Sequence, residues 1–168
     1  MLIYLISGEF MNIFEVLDGL DISYQRFDHP PVYTCDEANS INPNLPGAKT
    51  KNLFLRDRKG KRHFLVVVLD EKYVDLNVLA EGLNVNRLSL GSPERLRKYL
   101  ATEPGSVSIL DVTNDPEGLV ELIIDQDVWH ADALQCHPLI NTSTLVITLN
   151  DIKVLFDHLR RTAKIITV

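Results

Sequence analysis

Apolar residues from Ile13 onward fall at Ile13, Val16, Leu17 and Leu20, the spacing of one face of a helix. The next stretch, "SYQRFDH" (23–29), alternates as a strand does, and His29-Pro30-Pro31 ends it, because a residue before proline is driven into extended conformations. Thr34 stands as the N-cap of a short helix, with Asp36 and Glu37 in the first turn where the helix dipole favours acids. After the loop "NPNLPG", two apolar runs, Leu53–Leu55 and Phe64–Leu69, flank "RDRKGKR" and predict a β-hairpin turning at Gly60.

Downstream, Leu76, Leu79, Ala80 and Leu83 lie on one side of a helix that closes between Gly82 and Asn84. "SPERLRKYL" opens a second helix with Ser92 as cap, Pro93 at the first helical position and Glu94 in the first turn. The β-branched segments "GSVSIL", "GLVELIID" and "TLVITL" predict strands. "NDIKVLFDHLRR" predicts a helix with Ile152, Leu155, Phe156 and Leu159 inward and Asn150 or Asp151 as cap, and "AKIITV" a last strand. Strands outnumber helices and do not alternate regularly with them. The expected fold is therefore α+β, a mixed sheet with helices, and not a doubly wound sheet. A length of 168 residues suits one domain spanning 1–168, with residues 1–10 either an extra strand or an over-extended start ahead of Met11.

Composition changes this picture little. Apolar residues make up 45% and charged residues 24%, as in ordinary globular proteins. The two cysteines, Cys35 and Cys136, lie far apart and read as reduced thiols. "MLIYLISGEF" lacks a basic leader and a cleavage site and is too short to span a bilayer, so a cytoplasmic protein is expected. A net charge of −6 argues against broad adhesion to nucleic acid. Locally, however, Arg56, Arg58, Lys59, Lys61, Arg62 and His63 crowd one turn, and Arg160, Arg161 and Lys164 form a second basic group.

Familiar catalytic motifs are missing. "GAKT" has Ala48 and Pro43 where a phosphate-binding loop needs glycines, and neither a nucleophile elbow nor a zinc-protease helix motif occurs. On a strand, Cys136 and His137 would point to opposite faces, which forbids a thiol–imidazole pair. The five histidines lack zinc-ligand spacing, so no catalytic metal is expected. What remains are polar groups in unusual places: Lys51-Asn52 at the entry to the hairpin, and His137-Pro138 followed by Asn141, Thr142 and Thr144.

Three blocks, "KTKNLFLRDRKGKRHFLVVV", "RLSLGSPERLRKYLATEPGSVSI" and "CHPLINTSTLVI", resemble in order and spacing the YbaK/ProRS-INS superfamily of aminoacyl-tRNA deacylases, and within it the freestanding ProXp-ala or PrdX-like editors. "HPPVYTCDEA" and "KYVDLNVLA" extend the likeness over residues 12 to 160. The resemblance implies a mixed, partly barrel-like sheet surrounded by helices. It also implies hydrolysis of alanyl-tRNA carrying the proline anticodon, with no metal, no cofactor and no covalent intermediate. Lys51 matches the lysine that contacts the terminal adenosine and its phosphate, Asn52 the asparagine that holds the aminoacyl group, and His137 the pocket histidine. Gly105, Ser106, Asn141 and Thr144 are the matching substrate-binding positions. The implied partners are the acceptor end of a mischarged tRNA and, as a second candidate, prolyl-tRNA synthetase. One position departs from the family: Ile109 stands where the G-x-x-x-P loop has proline. A noncatalytic aminoacyl-tRNA or nucleic-acid binder of the same fold and a small-molecule ester hydrolase are the alternative readings.

Overall fold

The structure, a computed structural model, describes residues 3–4, 10–32, 37, 40–41 and 44–168. Among the described residues the continuous elements follow in order: β1 (Ile3–Tyr4), β2 (Phe10–Met11), α1 (Ile13–Gly19), β3 (Tyr24–Asp28), β4 (Ala48–Asp57), β5 (His63–Leu69), α2 (Leu76–Gly82), β6 (Leu88–Leu90), α3 (Pro93–Leu100), a 3-10 segment (Ile109–Asn114), β7 (Val120–Asp125), α4 (Gln126–Trp129), β8 (Ala133–Cys136), β9 (Ser143–Thr148), α5 (Leu149–His158) and β10 (Ala163–Ile166). β1 and β2 pair with each other, so the N-terminal segment contributes a small separate ladder. The remaining eight strands form one mixed sheet, ordered β10-β7-β5-β4-β8-β9-β3, with β6 also on β4.

Alternation along β4 and β5 divides the interior into two layers. Phe54, Leu65 and Val67 face a large core with α1, α3, the 3-10 segment, α4 and α5. Leu55, Phe64, Val66 and Val68 face a smaller one roofed by α2 through Leu79 and Ala80. The six buried residues in a row from His63 to Val68 reflect this two-sided cover.

β4 is the pivot of the sheet. One edge pairs continuously with β5, from Thr50↔Leu69 to Arg56↔His63. The other edge is divided: Ala48 and Lys49 pair in parallel with β8, and Leu55–Asp57 pair with β6. Between them, residues 50–54 have no strand partner on this second edge among the described residues, and the sheet opens there. Gly91 borders the opening, donating to the Phe54 oxygen at 2.9 Å. A Cβ at Gly91 would lie 2.3 Å from the Phe54 ring, so only glycine permits this approach.

Local hydrogen bonding decides the elements that composition misassigns. "GSVSIL" is no strand: Ser108 accepts from the Leu110 amide and the Asp111 carboxylate accepts from the Ser108 amide, a capping box that starts the 3-10 segment at Ile109. These side-chain bonds outweigh the β-propensity of Val107 and Ile109. The last helix is capped at Thr148, two residues before Asn150 and three before Asp151, because the Thr148 side chain accepts from the Asp151 amide. The predicted Thr34 cap lies outside the described residues.

Candidate active site

Two residues after β8, the chain turns back through Pro138 and Leu139, the latter at φ +63°, to enter β9. His137 sits at the start of this turn. Its Nδ1 lies 3.1 Å from the Ser143 carbonyl oxygen. A carbonyl only accepts, so Nδ1 carries the proton and Nε2 presents its lone pair. That nitrogen meets no hydrogen-bond partner among the described residues. Burial holds the imidazole below its ordinary pKa; the Ser143 bond opposes this and His29 reinforces it. His137 is therefore neutral near pH 7, with an acceptor nitrogen to offer.

His29 stands edge-on to His137, the ring centroids 6.3 Å apart. Its Nδ1 donates to the Pro30 oxygen at 2.8 Å, and its Nε2 accepts from the Thr144 hydroxyl at 3.0 Å. Asn141 holds the same segment, donating Nδ2 to the Val32 carbonyl oxygen at 3.1 Å while its main-chain oxygen accepts from the Val32 amide at 3.0 Å. Thr144 and Asn141 thus anchor "HPPV" beside His137. An open hollow of about 370 Å³ adjoins Val32, lined also by Pro31, Glu37, Ser40 and Ile41.

Lys51 and Thr144 share one sheet surface. The register runs from Lys49 to Gln135 and from Gln135 to Val146. Lys51 lies two residues beyond Lys49 and Thr144 two before Val146, which by alternation sets both on the same face. The Lys51 ammonium donates to the Asp70 oxygen at 2.9 Å and to the Lys72 oxygen. Lys72 is itself fixed, its ammonium 2.7 Å from both Asp125 and Asp127, and these carboxylates hold its pKa up.

Asn52 faces the other way, with Phe54 and Val67, and its Oδ1 is buried without a partner among the described residues. The Lys-Asn pair is therefore split by the sheet. Its backbone is better placed. Asp57 and Lys49 spend their main-chain groups on the β5 side and Phe54 turns its oxygen to Gly91. By the same alternation, Asn52 directs its N–H and C=O into the opening of the sheet.

Gly105 takes φ +87°, a left-handed conformation natural to glycine, and the Ser106 amide donates to the Glu103 oxygen at 3.1 Å. The loop reaches His137 through Ser108, whose hydroxyl donates to the His137 carbonyl oxygen at 2.7 Å. Asp111, fully buried, steadies Ser108 at 2.7 Å, and burial raises its carboxyl pKa well above the usual range. His29, Ser108 and Asp111 were not among the predicted site residues. The S-x-x-D spacing of a capping box was the available signal for the last two.

Cys136 is buried and its thiol is pushed up to about 12, which removes it as a nucleophile. Among the described residues no three His, Cys, Asp or Glu side chains are grouped to hold a metal, and no helix is long and apolar enough to cross a membrane.

Comparison with known proteins adds independent findings. The family description "Aminoacyl-tRNA editing domain" matches residues 29–155, a span that starts at His29 and contains every predicted site residue. The chain is 37% identical over 137 residues to the prolyl-tRNA editing protein ProX of Acetoanaerobium sticklandii, covering 82% of this chain and 84% of that protein. It is 32% identical over 155 residues to prolyl-tRNA synthetase associated domain-containing protein 1 of Danio rerio, covering 91% and 84%. The fold matches a solved structure of a candidate trans-editing enzyme for prolyl-tRNA synthetase, with TM-score 0.67 and 17% identity over 92% of this chain and 93% of that one.

Proposed function

The chain belongs to the aminoacyl-tRNA editing domain family, as an aminoacyl-tRNA deacylase that edits mischarged tRNA in trans, and on that premise we propose that it removes alanine from Ala-tRNA(Pro) without a metal. The observation that carries the reading is the opening in the second edge of β4, where Lys51 and Asn52 stand and toward which β8 leads His137. An aminoacyl ester is already activated, so the protein has to place a water and stabilise the developing oxyanion.

Lys51 supplies a compact charge for the 3′-terminal phosphate, exchanging the Asp70 and Lys72 carbonyls for a stronger partner. The Asn52 amide N–H, aimed into the opening, is the oxyanion donor that holds the aminoacyl group. His137 accepts through Nε2 from the ribose hydroxyl or the attacking water. Asn141 and Thr144 position the His29 segment as one wall of the acyl pocket, and Gly105 and Ser106 form another. Alanine would be selected by size. A methylene is worth only about 1–3 kcal/mol in favourable contact, so proline is excluded sterically. The enzyme works in the cytoplasm, beside prolyl-tRNA synthetase.

A panel of aminoacyl-tRNAs tested with wild type and Lys51→Ala decides the matter. Turnover of Ala-tRNA(Pro), weak turnover of Pro-tRNA(Pro) and a loss of at least a hundredfold in kcat/KM for Lys51→Ala are expected. Equal turnover of both tRNAs removes the alanine specificity, and an unchanged Lys51→Ala removes the site.

A further inference from the structure

Around the β4–β5 turn the charge balance reverses that of the whole chain, whose net charge is −6. The hairpin contributes Arg56, Arg58, Lys59, Lys61 and Arg62, and α3 brings Arg95 and Lys98 alongside. α3 is clamped there: Arg95 Nη1 donates to the Gly60 oxygen at 3.0 Å and to His63 Nε2 at 2.8 Å. The His63 ring packs against both Phe54 and Tyr99, at centroid distances of 5.7 and 4.0 Å.

The nearby carboxylates are committed elsewhere. Asp57 Oδ1 accepts from the Lys61 and Arg62 amides, closing the turn, and Glu121 holds Arg62 by both oxygens. Glu94, exposed in the first turn of α3, is the remaining acid on that helix face. Arg58, Lys59 and Lys61 are exposed and form no ion pair among the described residues. His63 registers the resulting field. After burial, Arg95, Lys98 and Arg56 all press its pKa down, against Asp57 alone. Such crowding of like charge is costly for an isolated protein and favourable against a polyanion.

The second basic group differs. Arg161 is locked to Asp115 at 3.1 Å and Lys164 to the Gly82 oxygen at 2.9 Å, so both are spent on the fold.

We propose that the β4–β5 turn, through Arg58, Lys59 and Lys61, grips the phosphate backbone of the tRNA acceptor helix while the 3′ end occupies the opening at Lys51. This rests on tRNA being the substrate. Six residue steps along β4 lead from Lys51 to Asp57, roughly 20 Å at the rise of a strand. The single-stranded 3′ end would span that length and deliver the double helix to the turn. Phosphate contacts position without reading sequence, which suits flexible cations at a loop tip.

The test is the triple variant Arg58→Ala, Lys59→Ala, Lys61→Ala, whose exposed side chains form no ion pair among the described residues. Deacylation is measured across a salt series on full-length Ala-tRNA and on a short alanylated oligonucleotide ending in CCA. The expected result is a KM for tRNA raised about tenfold with kcat retained, and a slope of log(kcat/KM) against log[salt] shallower by about two to three. The short oligonucleotide should respond less than twofold. An unchanged KM and slope on tRNA overturns the proposal, as does an equal loss on both substrates. Should wild type deacylate no tRNA, the proposed function fails separately, and equilibrium binding of uncharged tRNA still judges the surface: wild-type affinity in the triple variant overturns it.

Discussion

The hydroxyl of Ser108 donates to the main-chain oxygen of His137 across 2.7 Å, joining the Gly105 loop to the turn that carries the imidazole. The bond is part-buried and runs between segments 29 residues apart in sequence. Ser108 is also the cap of the 3-10 segment, so one side chain sets both the loop and the histidine. Ser108→Ala should cost about 1–2 kcal/mol of stability through the lost cap and bond. It should also lower kcat/KM about tenfold, with Ser108→Thr recovering much of the loss. Thermal melts and deacylation rates measured together check this, and a stability loss without a rate effect would show that the link is structural only.

Asp111 gives stability an unusual dependence on pH. Its folded pKa lies well above the ordinary 3.8, so its contribution is complete in acid, where folded and unfolded chains are both protonated. As pH rises above that value the unfolded chain releases its proton first, and stability falls until the folded carboxyl also ionises. Asp111→Asn, which keeps an oxygen for the Ser108 amide, should flatten this decline. Denaturant midpoints followed from pH 4 to 9 in both proteins measure the difference.

His63 and His137 act in the opposite direction. Both are held below the ordinary 6.5, chiefly by burial, so the stability they contribute is complete above pH 6.5 and is lost as pH falls through their folded values. His63→Gln keeps an acceptor for Arg95 and should remove part of the acid-side loss. Activity should fall in the same range as His137 gains a proton on Nε2. A pH–rate profile with no acid limb anywhere in the range where the protein stays folded would argue against a role for that lone pair.

Cys136 should resist thiol reagents in the native protein and react fully in denaturant, because its thiol is both buried and pushed up to about 12. Cys136→Ala should cost about 1–2 kcal/mol for the small cavity and leave kcat within twofold. Alkylation rates with and without denaturant provide the check.

Ile109 shows how a departure from a family pattern is absorbed. It occupies the first position of a helical segment, where the fixed φ of proline would also fit, and Ser108 before it is already extended at φ −134°, ψ 155°. In this chain the Ser108–Asp111 box does the holding, and Ile109 adds a fully buried side chain to the core. Ile109→Pro should keep the loop conformation but lose core packing, lowering stability by about 1–3 kcal/mol while kcat/KM changes less than it does for Ser108→Ala. Melting and kinetics of the two variants side by side make the comparison.

Strong periodicity and explicit caps made the hairpin, the helix at Pro93, the strands at 120 and 143 and the final strand readable from sequence. Ser92 accepts from the Arg95 amide and Pro93 opens the helix, as composition predicted. What escaped was decided by contacts far apart in the chain. β6 is three residues long and exists because Leu88–Leu90 completes the edge of β4. The division of the Lys51-Asn52 pair between two faces follows from register, which a sequence read alone does not fix. His29 read as the end of a strand, since its bond to Thr144 spans 115 residues. Asn141 and Thr144 came together beside His137, whereas Ser106 connects to it only through Ser108.

The division of β4's edge also governs when the enzyme comes into being. Lys51 leaves the ribosome early and its hairpin closes locally, but β8 docks from 85 residues downstream, as the bond from Thr50 to the Gln135 oxygen records. A nascent chain that has reached only β7 already contains Lys51 and the His29 segment but lacks His137 and the turn that carries it. On the proposed function, activity therefore requires the final quarter of the polypeptide to dock, and a deacylation assay doubles as a report on complete folding.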